Sequence, residues 1–201
     1  LVLGEPGIGK SRLAHELAVE LEPNATVFFG RCVAYGKGAT FLPLAEIVRS
    51  VREHQPLGEV LAGDEHADLI GARLAQLTGE DEGPASGGET FWAVRRFFEA
   101  LAATRPLVLV FEDLHWGEPT LLDLIDYLGD RSTAPILLLG LARPELLEQR
   151  PGWNEREAAA LRPLAGEPHE PLLRRGGRLG GGRVEGGVWG KACHLRPSEW
   201  S

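Results

Sequence analysis

Eight consecutive residues near the start of the chain, Gly4-Glu5-Pro6-Gly7-Ile8-Gly9-Lys10-Ser11, restrict its fold more than any other feature. Before them, Leu1 to Leu3 read as the end of a buried strand. After them, Leu13, Ala14, Leu17, Ala18 and Leu21 recur at helical spacing. A glycine-rich turn between a strand and a helix lets successive backbone N–H groups point inward around an anion, with the helix N-terminus aimed at the same place. The spacing GxxxxGK[ST] adds an ammonium group, Lys10, that reaches phosphate oxygens, and a hydroxyl, Ser11, that can ligate a divalent cation. Arg12 reads either as a further phosphate contact or as an exposed residue.

The rest of the chain alternates strand and helix patterns. Pro23 and Asn24 stop the first helix, and Ala25 to Phe29 make a second run of strand length. Gly36 and Gly38 mark a loop. Pro43 suits a first helical position, with helix to Val51, and helical pattern runs on from about Val60 to Leu77. The polar stretch Gly79 to Gly88 precedes an amphipathic helix from about Thr90, whose apolar face carries Phe91, Val94, Phe97, Phe98 and Leu101; the aromatic stripe Phe91, Trp92 and Phe97 is expected in the core. Leu107 to Phe111 and Ile136 to Leu141 are near-continuous apolar runs, the pattern of strands buried on both faces. Between them Pro119 and Thr120 open a helix to Leu128, with Asp123 placed to complete a capping box. Such alternation predicts an α/β fold, a doubly wound parallel sheet flanked by helices, in which ligands sit beyond the carboxyl ends of the strands.

Two further groups fall at such strand ends. Leu107-Val-Leu-Val-Phe-Glu-Asp113 is an apolar strand that delivers two acids, Glu112 and Asp113; one can hold a magnesium ion and the other can polarise a water. Which acid takes which task is open. Arg143 follows the Ile136 to Leu141 strand, where its cation would stabilise charge developing in phosphoryl transfer or form a surface ion pair. His115 is expected as a packed, hydrogen-bonded loop residue, and Trp116 follows it.

Composition narrows the partners. A formal net charge of -8 argues against a surface built to neutralise nucleic-acid phosphates. Cys32 and Cys193 stand far apart without a CxxC pair, so no disulfide framework or zinc site is expected, and a reducing cytoplasmic setting fits. No stretch approaches the roughly 20 apolar residues needed to span a bilayer, and no membrane contact is expected. The chain has no methionine and opens inside a strand, so the domain is expected to be truncated at both ends. Residues 1–168 form the expected core; residues 169–201, rich in Gly and Arg without apolar periodicity, are expected to be a disordered or out-of-frame tail.

The blocks GEPGIGKSRL, GRCVAYGKGATFLPLAEIVR, ETFWAVRRFFEAL, LVLVFEDLHW and PILLLGLARPELL, in that order, resemble the AAA-type P-loop ATPase domains of the STAND class. In those terms Gly4 to Ser11 is the Walker A segment and Leu107 to Asp113 the Walker B segment. The chain is most similar to the modules that accompany class III adenylate/guanylate cyclase domains, as in soluble adenylyl cyclase-like proteins, and those of large LuxR-type regulators. The resemblance implies ATP and Mg²⁺ as ligands, a sheet in which the Arg143 strand lies between the other two motif strands, and Leu161 to Leu164 as the start of a last core strand. It also implies a regulatory switch working on output and effector domains elsewhere in a longer protein, with room for a nucleotide-dependent oligomer. The alternative is a nucleotide sensor or scaffold that does not hydrolyse. Any cyclase activity would reside in a domain outside this chain. One departure concerns the first Walker B acid, which is usually Asp and here is Glu112.

Overall fold

The computed structural model describes residues 1–34, 40–81, 87–154 and 159–160 of the chain. The expected loop at Gly36 and Gly38, the strand at Leu161 to Leu164 and the tail from 169 lie outside the described residues, as does part of the Gly79 to Gly88 stretch.

Five parallel strands form one sheet in the order β2-β3-β4-β1-β5: β1 (Val2–Leu3), β2 (Thr26–Arg31), β3 (Leu107–Glu112), β4 (Ile136–Ala142) and β5 (Ala159–Ala160). β4 therefore lies between β3 and β1, as the resemblance implied. On β3 the side chains alternate between two cores with the period of a strand. Leu107, Leu109 and Phe111 enter the large core, while Val108 and Val110 enter a smaller one. Both faces being buried explains why β3 has no polar alternation.

Helices α2 (Leu42–His54), α4 (Ala67–Thr78), α5 (Gly88–Ala102) and α6 (Pro119–Arg131) supply the large core, with Leu44, Ile47, Ile70, Leu74, Phe97, Phe98, Leu121 and Leu122 almost fully buried. α1 (Lys10–Leu21) covers the smaller core through Ala14 and Leu21. The expected doubly wound arrangement is thus present. Of the aromatic stripe, Phe97 is fully buried, whereas Phe91 and Trp92 are half-buried and pack against the core. Trp92 meets the His66 ring edge-on at 5.3 Å.

Three local readings need correction. The helical pattern of Val60 to Leu77 is two helices, α3 (Leu57–Val60) and α4. Gly63 adopts φ 86° between them, which glycine does without steric cost, and Asp64 secures the turn by accepting from the His66 N–H at 2.9 Å and from Arg96 Nη2 at 2.6 Å. The capping box at the start of α6 does not form. The helix is already under way at Pro119, so Thr120 falls within its first turn rather than at the cap, and no side chain caps it. Asp123 instead accepts from Arg150 Nη2 at 2.6 Å. β2 also runs two residues beyond the expected Phe29, to Arg31, and this extension shapes the site.

β2 can sit close to α2 because Gly30 has no side chain. A Cβ there would lie 2.3 Å from the Pro43 carbonyl oxygen.

Candidate functional site

Because every strand is parallel, the segments leaving β1, β2, β3 and β4 emerge on one edge of the sheet. The register Arg31↔Glu112 and Leu3↔Ala142 sets their heights. The Gly4 N–H donates to the Ala142 carbonyl at 3.2 Å, which ties the start of the glycine-rich turn to the end of β4, one residue before Arg143.

The turn itself needs its glycines. Gly7 has φ 78° and Gly9 φ 101°, values that L side chains rarely adopt, and a Cβ at either would meet nothing within 4 Å. The space around them is open, so torsion rather than crowding demands glycine. α1 starts at Lys10 with Gly9 as its N-cap, and no side chain caps it. The amides of its first turn have no intrahelical partner by construction. Uncapped amides, an ammonium group and the helix dipole fit a phosphate-bearing ligand.

Lys10 Nζ donates to the carbonyls of Gly4 at 2.7 Å and Glu5 at 3.0 Å, so the side chain folds back across the mouth of the turn. Burial pushes its pKa below the ordinary lysine value; Asp113 opposes this and Arg143 adds to it. Ser11 is exposed at the start of α1; its hydroxyl, like the two carboxylates at the end of β3, is a hard oxygen donor of the kind magnesium takes. Glu5, Pro6 and Gly7 are exposed, Ile8 is half-buried, and Ile8 N–H donates to Glu5 O at 3.4 Å. Arg12 points along the helix to Glu16, 3.7 Å away, with both side chains about half exposed. Of the two readings of Arg12, the exposed one matches this geometry.

The two acids are not equivalent. Glu112 is the last residue of β3. Asp113 has φ 52°, which makes it the one non-glycine residue with positive φ among the described residues. Asp tolerates this region better than most residues, yet it is an uncommon backbone state that swings the carboxylate out of the strand line. Arg31 meets it there: Nη2 donates to Oδ2 at 2.8 Å and Nε donates to the same oxygen at 3.0 Å. The hydrogen bond to Asp113 raises the Arg31 pKa.

Sequence reasoning passed over Arg31. The available signal was a cation at the carboxyl end of a strand, the edge where this class of sheet places its ligands.

Beyond Asp113 a short 3₁₀ turn, Leu114–Trp116, buries His115 and leaves Trp116 exposed. His115 is packed as expected, but neither ring nitrogen has a hydrogen-bond partner. Burial lowers its pKa, and the nearby Arg143 adds to this. The Arg143 guanidinium lies over the Trp116 ring, 5.8 Å from its centroid, at the outer range of a cation–π contact. Nearby, Cys32 is buried, and burial with the Asp113 charge pushes its thiol up to about 12, too high for a reactive thiolate. The structure thus brings the Gly4 to Ser11 turn, Asp113 and Arg143 to one edge, adds Arg31, and turns Arg12 away. Among the described residues no helix is long and apolar enough to cross a membrane.

A family model described as AAA ATPase domain matches residues 1–139. An uncharacterized protein, R02095, of Rhizobium meliloti (strain 1021) is 27% identical over 187 residues, which cover 82% of this chain and 18% of the relative. The chain therefore spans less than a fifth of the length of that relative. No solved structure matches significantly.

Proposed function

The chain belongs to the AAA ATPase domain family, a family of nucleotide-binding P-loop domains, and on that footing we propose that it binds ATP with magnesium and hydrolyses it. We assign it the part of a STAND-type regulatory module in a longer signalling protein, such as one with a cyclase or transcriptional output. The observation that carries the reading is the uncapped N-terminus of α1 behind Gly7 and Gly9, with Lys10 at its mouth and Asp113 acting on Lys10 from the end of β3.

In this reading the amides of the Gly4 to Ser11 turn hold the phosphates, and Lys10 leaves its two carbonyl partners to pair with the β and γ oxygens. Ser11 and one acid of the Glu112, Asp113 pair would hold magnesium, and the other acid would orient water. A bound magnesium would supply positive charge to offset that of the phosphate oxygens. Water attacks the γ-phosphorus in line with that leaving group. Arg143, half-buried at the end of β4, balances the negative charge that develops. Output and effector partners would be domains outside this chain, which fits its small share of the relative's length.

The test is magnesium-dependent binding of a fluorescent ATP analogue together with phosphate release by the whole chain. The expected result is binding with slow release, and a Glu112→Gln, Asp113→Asn double variant that loses release and keeps only the affinity the chain has without metal. Binding without release from the parent chain would favour a non-hydrolysing sensor. A folded chain indifferent to adenine nucleotides would defeat both readings.

A further inference from the structure

The 3₁₀ turn after β3 keeps two of its three side chains in the core and leaves the third in water. Leu114 is 1% exposed and His115 9%, whereas the Trp116 indole is 43% exposed. The turn holds its shape without that ring. The Trp116 N–H donates to the Asp113 carbonyl at 2.9 Å, the Gly117 N–H donates to the Leu114 carbonyl at 2.9 Å, and Leu114 anchors the turn in the large core. A single exposed ring is ordinary by itself. What sits on it is not.

The Arg143 guanidinium carbon lies over the indole, 5.8 Å from its centroid. The stem of this arginine is fixed. The Ala142 carbonyl before it accepts from the Gly4 N–H at 3.2 Å, and its own carbonyl accepts from the N–H of the fully buried Leu146 at 3.1 Å. Pro144 after it disfavours a helical backbone at Arg143. The tip is held differently. Among the described residues no carboxylate pairs with the guanidinium and no acceptor takes one of its N–H groups, although Glu145 stands two residues on; the ring is the contact it makes.

A carboxylate in that place would hold the guanidinium by occupying its N–H groups and offsetting its charge. A ring face attracts the cation through its quadrupole and takes no donor, so every N–H group and the full charge stay available to an anion. The buried His115 ring packs against the indole, with centroids 5.0 Å apart and planes tilted by 41°, which steadies the platform. Arg143 is also close enough to Lys10 to lower the pKa of that ammonium, and an anion between the two cations relieves their repulsion.

Resting on the ATP-hydrolysis reading above, we infer that Trp116 is a positioning residue: its indole face holds the Arg143 guanidinium at the carboxyl edge of the sheet with its N–H donors free for the γ-phosphate. Trp116 itself does not touch the reacting atoms.

The experiment measures magnesium-dependent phosphate release by the full chain over a range of ATP concentrations, which separates kcat from KM. Trp116→Leu keeps apolar bulk without a π face, and its kcat falls by about threefold while KM stays within about twofold. Trp116→Phe, with a weaker face, falls between this variant and the parent. Arg143→Ala lowers kcat further, by about a hundredfold, and adding Trp116→Leu to it changes nothing more. Because the ring is exposed, each Trp116 variant melts within about 2 °C of the parent. The inference is overturned by undiminished turnover in Trp116→Leu, by Trp116→Phe doing no better than Trp116→Leu, by a rise in KM with kcat unchanged, or by an equal loss from Trp116→Leu when Arg143 is already gone. A fall in melting temperature that accounts for the lost turnover makes Trp116 a structural residue and also overturns it. A parent chain that releases no phosphate overturns the hydrolysis reading and this inference together; a hydrolysing parent indifferent to Trp116 overturns the inference alone.

Discussion

The two halves of the site are built on opposite principles. The glycine-rich turn is made of backbone in unusual torsions with open space around it: Gly7 and Gly9 are left-handed, and nothing lies within 4 Å of a Cβ on either. The acid half is made of side chains on crowded backbone. Gly30 has no positive φ, yet a Cβ on it would lie 2.3 Å from one backbone atom of Pro43 and 2.8 Å from another. At Gly7 and Gly9 there is room for bulk but the torsion is not an ordinary one; at Gly30 the torsion is ordinary but there is no room for bulk. The same substitution should therefore fail for different reasons at the two places.

The largest effect expected from this contrast is at Gly30. In Gly30→Ala the new methyl meets backbone, which cannot rotate away as a side chain would, so β2 and α2 must separate. The cost should be about 3 kcal/mol, in the range of an overpacked core. For a domain of this size that is a fall in melting temperature of roughly 6–12 °C. A variant that melts with the parent would show that the close approach of α2 to β2 is not needed.

Second is Lys10. In Lys10→Ala the ammonium is gone while the turn keeps its glycines, and ATP affinity should drop by about a hundredfold, equivalent to about 2.7 kcal/mol. Because Lys10 also bonds the Gly4 and Glu5 carbonyls, a melting scan separates loss of binding from loss of the turn. Unchanged affinity would mean that the turn binds through amides alone.

Third, Gly7→Ala tests torsion without crowding. The left-handed region costs a non-glycine residue about 1–2 kcal/mol, so the melting temperature should fall by less than in Gly30→Ala. If the two variants fell equally, the contrast between the halves would lose its basis.

The contrast also explains what could be read from sequence. The turn was legible because all its determinants lie within eight consecutive residues, each with a local reason for its identity. The strands were legible too, since burial on both faces leaves β3 and β4 as unbroken apolar runs. The Arg31 to Asp113 pair was not, because it joins residues 82 apart and exists only once β2 and β3 are in register. Local patterns misled where a tertiary partner intervened. Asp123 had the spacing of a capping residue, and Arg150 claimed it. Gly63 sat inside a helical period, and its left-handed torsion with the Asp64 contacts split the helix. His115 was packed as its setting suggested, but no period in the sequence records that its two nitrogens find no partner.

The smallest effect belongs to Arg12, and it marks where the turn stops acting on its ligand. Arg12 directly follows Ser11, and a cation so near a helix N-terminus invites assignment to phosphate. Its side chain runs along α1 to Glu16 instead, four residues on, with both groups about half exposed. A pair of that kind on a helix surface contributes only about 0.3–0.5 kcal/mol. Arg12→Ala should therefore leave ATP affinity within about twofold and the melting temperature within about 2 °C of the parent. A drop in affinity close to that of Lys10→Ala would mean that Arg12 leaves Glu16 when nucleotide binds, and the boundary of the phosphate site would move one residue along the helix.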